Sequence, residues 1–440
     1  MADTVITSIR GRHVWDSRGR PTVEAEVELA CGAKGRALAP AGASRGSRES
    51  VDLRDGGSRL AGMDVGAAVA HVNGEIARAL RGRDARDQAG VDGVLIALDG
   101  TPNKARLGGN ATIAVSMATL HASTAAAGEP LYRYLSTGKA TRLPLPEIQI
   151  FGGGAHAGRR VDVQDFMIMA LGARSFDQAL MMTAEVYRAA GELLKDNGLL
   201  QGVADEGGYW PAFSSNEEAL EWLMRAIERA GYVPGEEVAI SLDIAASEFG
   251  RGGRYRFGLE RREFDSDGLA ELLLSWLDRY PIVSIEDPMA EDDAAGMARF
   301  TAAAGDRAQI IGDDFLVTNA ELVERAARVK ACNAVLIKPN QAGTITETRA
   351  AFDAGRRAGF GTIVSARSGE TEDVTIVHLA TGWDAGQLKV GSFSRSERMA
   401  KWNEALRIEE QLGAAARFAG KSALAFVTAV STASPHASRS

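Results

Sequence analysis

Cysteine is scarce in this chain of 440 residues: Cys31 and Cys332 are the only two, and no Cys-x-x-Cys pair occurs. Neither a disulfide framework nor a zinc site has support, and two small thiols in a reducing compartment are the expectation. Lysine is also scarce, at nine of the 50 basic residues, a bias that fits GC-rich coding better than function. Positive charge is outweighed, and the net charge of −8 argues against general affinity for nucleic acid or an anionic membrane. No apolar run approaches the roughly 20 residues that cross a bilayer. The opening MADTVITSIRG lacks the basic region and long apolar stretch of a signal peptide. The expectation is a soluble, cytoplasmic protein.

What is present is enough for more than one small core. Hydrophobic residues make up 45% of the chain, and this length predicts two domains, or one large barrel with an added piece. The start alternates with period two in "DTVITSIRGRHVWDSRG" and "PTVEAEVELACG", predicting a small antiparallel sheet. From about Val65 to Tyr134 the apolar spacing turns helical, as in "ATIAVSMATLHASTAAA". Strands followed by helices predict an N-terminal α+β domain over residues 1–140.

Beyond it, short apolar runs alternate with helical stretches: "FMIMAL", "VAISLDIA", "PIVSIEDP", "AQIIGDDF", "NAVLIKPN", "GTIVSARS" and "QLKVGSFS". That many units predict an α/β architecture, a closed (β/α)8 barrel of TIM type over 141–426. A doubly wound open sheet is the competing fold, but no GxGxxG joins a strand to a helix. Residues 427–440 read as a polar tail.

Charges end these runs in register. Asp243, Glu286, Asp313, Lys338, Arg367 and Lys389 each sit at or just after an apolar run, and from Glu286 onward the gaps are 27, 25, 29 and 22 residues. Each alone reads as a solvated strand end. Together, on a β/α barrel, they converge on one mouth. Three carboxylates suit a hard divalent cation such as magnesium, and without one they repel each other. The nearby cations imply a substrate with several negative charges. A lysine among metal ligands is also expected to have a lowered pKa and to act as a base.

Longer blocks carry a resemblance. "DSRGRPTVEAEV", "GGAHAG", "DEGG", "LDIAASEF", "YPIVSIEDPMAEDD", "IGDDFLVTN", "KPNQAGT", "RSGETED" and "RSERMAKWNEALRIEE" together resemble the enolase family from about residue 5 to residue 413. The resemblance implies a magnesium-dependent lyase with two metal ions per site, acting on a small anionic phospho-carboxylate as a homodimer or higher homo-oligomer. Asp243, Glu286 and Asp313 match the ligands of the tightly held ion, and Ser44 matches the loop serine that closes on the second. Lys338 matches the base and Glu206 the acid that assists the leaving hydroxide. Arg367 and Ser368 match phosphate contacts, Lys389 the lysine near the carboxylate, and His156 and Gln164 further substrate contacts.

Departures cluster around the same pocket. Ala366 stands where the family has histidine, and Asp165 where it has glutamate. Ala41, Arg45 and Arg48 replace Ser, Thr and His in the first loop, Gly152 replaces asparagine, and Pro339 replaces valine. Asp165 is retained among the catalytic candidates, although its carboxylate recedes by about one methylene. Arg45 joins the substrate-binding candidates. These changes imply a roomier, more basic pocket suited to a larger phosphono-acid, as in the carboxyphosphonoenolpyruvate synthase branch; a non-catalytic binding paralogue is the third reading. For Glu370, Glu372 and Asp373 the expectation is helix-start charges and caps.

Overall fold

The computed structural model describes residues 3–136 and 142–426. The expected tail over 427–440 and the boundary near residue 140 lie outside the described residues. Three strands open the chain, β1 (Ile6–Trp15), β2 (Pro21–Leu29) and β3 (Lys34–Leu38), paired antiparallel in that order. One face of this sheet rests on the helix Gly109–Ala127, which is rich in small residues and buried along nearly its whole length. The contact is close: a Cβ on Gly35 of β3 would lie 2.1 Å from the Ala118 carbonyl oxygen. That helix is covered by the sheet on one side and by neighbouring helices on the other, so it has no solvent face to be polar.

Eight strands then close into a barrel. They are β4 (Leu145–Gly152), β5 (Asp165–Met169) and β6 (Ala239–Asp243). After a three-stranded meander of β7 (Gly250–Arg251), β8 (Arg254–Phe257) and β9 (Arg262–Asp265), the barrel resumes. Its remaining strands are β10 (Ile282–Glu286), β11 (Gln309–Gly312), β12 (Ala334–Ile337), β13 (Gly361–Ser365) and β14 (Gly386–Ser392). Outer helices begin at side-chain caps: Ser175, Ser215, Asp265, Asp293, Asn319 and Thr344 each accept a bond from a backbone N–H in the first turn.

One strand departs from simple alternation. β5 runs antiparallel to both β4 and β6. The connection between β4 and β5, residues 153–164, stays at the mouth with the single turn Gly154–Ala157, and it holds no crossover helix of the kind that ordinarily returns a chain for parallel pairing. β5 therefore begins at the mouth where β4 ends. β4 itself is absent from the apolar runs of the sequence because Glu147 and Gln149 interrupt it, yet all eight of its residues are buried. The meander β7–β9 also interrupts the expected alternation.

Candidate active site

Strand direction places the charges. Parallel strands end at one mouth, and the reversed β5 starts there, so Asp165, Asp243 and Glu286 lie side by side in register on three neighbouring strands. Asp313 follows β11, Lys338 follows β12, and Arg367 comes two residues beyond β13. Lys389, inside β14, lies opposite Ser365 on one side and Glu147 on the other.

Two lysines divide the acid cluster. The Lys389 ammonium donates to Asp243 Oδ2 at 2.9 Å and to Glu286 Oε2 at 2.8 Å, and stands 3.6 Å from Asp165 Oδ2. Lys338 Nζ bonds Asp313 Oδ2, while Gln341 Nε2 reaches Asp313 Oδ1 at 2.9 Å. Burial pushes the Glu286 carboxyl well above the usual range, and the charge of Asp243 adds to that push. Burial acts the same way on Asp313, but Lys338 and Arg367 outweigh it and hold that carboxyl low. Desolvation would lower Lys338, yet Asp313 raises it overall. With no cation on these carboxylates, the ion pair stabilises the ammonium.

A second group surrounds His156. Its Nδ1 is 3.2 Å from Asp165 Oδ1, and its Nε2 is 3.8 Å from Glu206 Oε1. Against desolvation, Glu206 and Asp165 raise the imidazolium to about 9, and His156 in turn holds Asp165 at about 2 despite burial. Burial raises Glu206. Gln149 Nε2 also bonds Asp165 Oδ1, and Gln164 Nε2 donates to Asp243 Oδ2 at 3.2 Å.

A small cavity brings most of the candidates together, with Glu286 and Asp313 outside its lining. Its lining includes Ser44, His156, Gln164, Asp165, Glu206, Asp243, Lys338, Arg367, Ser368 and Lys389, with Ala366 and Gly42. Arg45 is outside this lining: its side chain is 48% exposed and stands 3.9 Å from Asp52. Arg48 donates to the Phe315 carbonyl instead. The first loop therefore adds neither guanidinium to the pocket wall in this arrangement. Ala366, 6% exposed, brings only a methyl to the wall where an imidazole was expected.

Several residues that hold the site carried no signal in the sequence. Glu49, in a Gly/Ser-rich loop, pairs with Arg367 through both oxygens at 2.9 and 3.1 Å. Arg367 also donates to Asn340 Oδ1 and to the Ser44 carbonyl. Ser368 Oγ accepts from Ala43 N at 2.6 Å, so the Ser44 loop is stitched to the turn after β13. Arg398, with no exposure, donates to the carbonyls of Arg367 and Ser368. Glu370 departs from the helix-charge expectation: it is buried, accepts from Arg367 N, and pairs with Lys401 at 2.9 Å. Asp373 does serve the helix start, accepting from Thr375 N. Glu372 is exposed.

Do these donors suit a divalent cation? Among the described residues, two groups bring carboxylate or imidazole donors within 4.8 Å of one another: His156, Asp165 and Glu206; and Asp287, Asp313 and Asp314. The trio Asp243, Glu286 and Asp313 is not such a group; Lys389 is paired with Asp243 and Glu286, and Lys338 with Asp313. Glu286 Oε1 and Asp165 Oδ2 are buried without a hydrogen-bond partner. The carboxylate oxygens of Asp243, Glu286 and Asp313, with Glu286 Oε1 buried and unsatisfied, are the donor type that a hard cation such as magnesium takes.

A closed barrel with carboxylates and lysines gathered at its carboxyl mouth defines an α/β-barrel protein whose chemistry sits at strand ends. Residues 6–135 match the enolase N-terminal domain, and residues 140–427 match the enolase C-terminal TIM barrel domain. The chain belongs to the enolase family. None of its described helices is long and apolar enough to cross a membrane.

Proposed function

We propose that this protein is a magnesium-dependent lyase that removes the proton alpha to a carboxylate and eliminates water, giving an enolpyruvate. The substrate is 2-phosphoglycerate or a related anionic phospho- or phosphono-acid. The observation that carries this reading is the shared cavity: Lys338 and Glu206 line it together with Arg367, Ser368 and Lys389. Two magnesium ions, on Asp243, Glu286 and Asp313 and toward Ser44, would supply the positive charge that stabilises the carboxylate dianion. With Asp313 engaged by a cation, Lys338 would lose the partner that keeps it charged, and its neutral form takes the proton from the alpha carbon. The electron pair forms the carbon–carbon double bond as hydroxide leaves the beta carbon, and Glu206 donates the proton that turns it into water. Asp165 and His156 orient Glu206. Lys389 and Gln164 bind the carboxylate end, and Arg367 with Ser368 binds the phosphate or phosphonate. Arg45 is retained in this proposal only as a contact to a large substrate reaching the loop. A cytoplasmic homodimer is part of the same reading.

Ala366 favours a changed substrate over ordinary glycolytic dehydration, because the wall offers a methyl where an imidazole would contact the anion. On that reading 2-phosphoglycerate undergoes alpha-proton exchange readily but loses water slowly, since the groups near the leaving hydroxide are the altered ones. Measuring deuterium exchange and elimination side by side tests it. Loss of a positioned acid–base group costs about 10²–10⁴-fold, so elimination should be slow but present. Turnover as fast as an ordinary enolase would leave a glycolytic enzyme with a tolerated alanine. Magnesium binding with neither exchange nor elimination would leave a binding paralogue.

A further inference from the structure

Below the mouth, the barrel holds an acid that the proposed reaction does not use. Glu147 lies in the middle of β4 with no solvent exposure. Its Oε1 accepts from Ser241 Oγ across the interior, two residues below Asp243 on β6. Its Oε2 has no hydrogen-bond partner among the described residues. Glu147 is also the register partner of Lys389 on the adjacent strand. A barrel interior is ordinarily filled by branched apolar side chains, and an acid there with one unused oxygen calls for a reason.

Lys389 provides one. Four carboxylates act on this buried ammonium: Asp243 and Glu286 in direct contact, Asp165 at 3.6 Å, and Glu147, its register partner on β4, through its charge without a direct pair. A divalent cation on Asp243 and Glu286 would draw on the two carboxylates that now hold Lys389, and would repel it. A buried charge that loses its partners is strongly destabilising. Asp165 already serves His156 and Gln149. Glu286 also has an oxygen without a hydrogen-bond partner, but it is a proposed metal ligand; Glu147 has such an oxygen and no place in the proposed chemistry. We propose that Glu147 is a positioning residue that retains Lys389 when a divalent cation engages Asp243 and Glu286. This rests on the magnesium reading above. Glu147 thereby makes metal binding and a correctly placed Lys389 compatible.

The test is calorimetric titration of the full chain with magnesium, alongside thermal melting of the metal-free protein. Glu147→Met removes the acceptor at similar length, and Glu147→Gln keeps an acceptor oxygen. Removing a residue that supports a metal site from behind costs about 10–100-fold in affinity, and that loss is expected for Glu147→Met. Glu147→Gln, which keeps an acceptor for the Ser241 hydroxyl, should recover most of it without lowering the metal-free melting temperature, whereas Glu147→Met leaves that hydroxyl unpaired. A purely structural role would instead lower that temperature in both variants and would overturn the proposal. So would magnesium affinity in Glu147→Met equal to the parent's while the parent binds normally. A parent chain that binds no magnesium would overturn this proposal and the function reading together.

Discussion

Arg367 shows how much a single side chain can be asked to do. It is buried, held by both oxygens of Glu49, and still faces the cavity proposed to take a phosphate. Breaking a buried pair leaves an uncompensated charge and costs about 3–5 kcal/mol, so Glu49→Gln should lose stability of that order in urea denaturation. A loss below about 1 kcal/mol, the range of an exposed pair, would mean that Asn340 and Ser44 suffice. His156 has a pH signature. Its imidazolium is raised from 6.5 to about 9 by Glu206 and Asp165. A raised pKa in the folded state stabilises fully below the unfolded value and is lost as pH rises through the folded one. The metal-free protein should therefore lose stability between pH 6.5 and about 9, and His156→Gln should flatten that slope. Identical slopes would show that the imidazole gains nothing from its two carboxylates. At Asp165 and Ala366, the paired substitutions Asp165→Glu and Ala366→His should raise elimination of 2-phosphoglycerate. Either alone can fail, because the two act on one pocket.

Among the elements, the reversed β5 has the largest consequence. Its first residue, Asp165, stands at the mouth beside the last residue of β6; a parallel β5 would carry Asp165 to the opposite end of the barrel. The turn that presents Glu206 is similarly specific. Gly207 has φ +95°, and a Cβ there would come 2.7 Å from the Ser394 carbonyl oxygen. Gly207→Ala must therefore move the turn and Glu206 with it. Turnover should fall toward the roughly 10²–10⁴-fold loss of a misplaced acid–base group, while magnesium affinity stays at the parent's value. Unchanged turnover would separate Glu206 from the leaving-group role.

At the scale of the whole molecule, the N-terminal elements and the barrel are fastened both at the site and away from it. Glu49 reaches Arg367, Ser50 Oγ donates to the Asn340 carbonyl, Asp373 accepts from Leu38 N, and Asp92 accepts from both Thr346 N and its hydroxyl. These ties are buried or partly buried, so separating the two parts exposes charged and polar partners together. The expected outcome is one cooperative calorimetric transition; two resolved transitions would show that the parts unfold independently. Chelation should shift that transition downward and abolish turnover. A ligand at 100 times its Kd contributes about 2.7 kcal/mol to the folded state. Equal melting and turnover in excess chelator would reject the magnesium reading.

Local order alone determined the rhythm of this protein. Apolar runs of strand length, helical stretches between them, and charges returning at strand ends made the barrel and its mouth legible before any contact was known. Those patterns are local, since burial and propensity act residue by residue along each element. Pairing is not local. The eighth strand was hidden because Glu147 and Gln149 are polar yet face a closed interior. The direction of β5 depended on a connection that folds back at the mouth without a crossover helix. Glu49 meets Arg367 across 318 positions, and Arg45, adjacent to Ser44, turns toward Asp52 instead. Which charges neutralise one another was decided only when the barrel closed and placed them within reach, because Coulomb energy depends on distance in space and not on position in the chain.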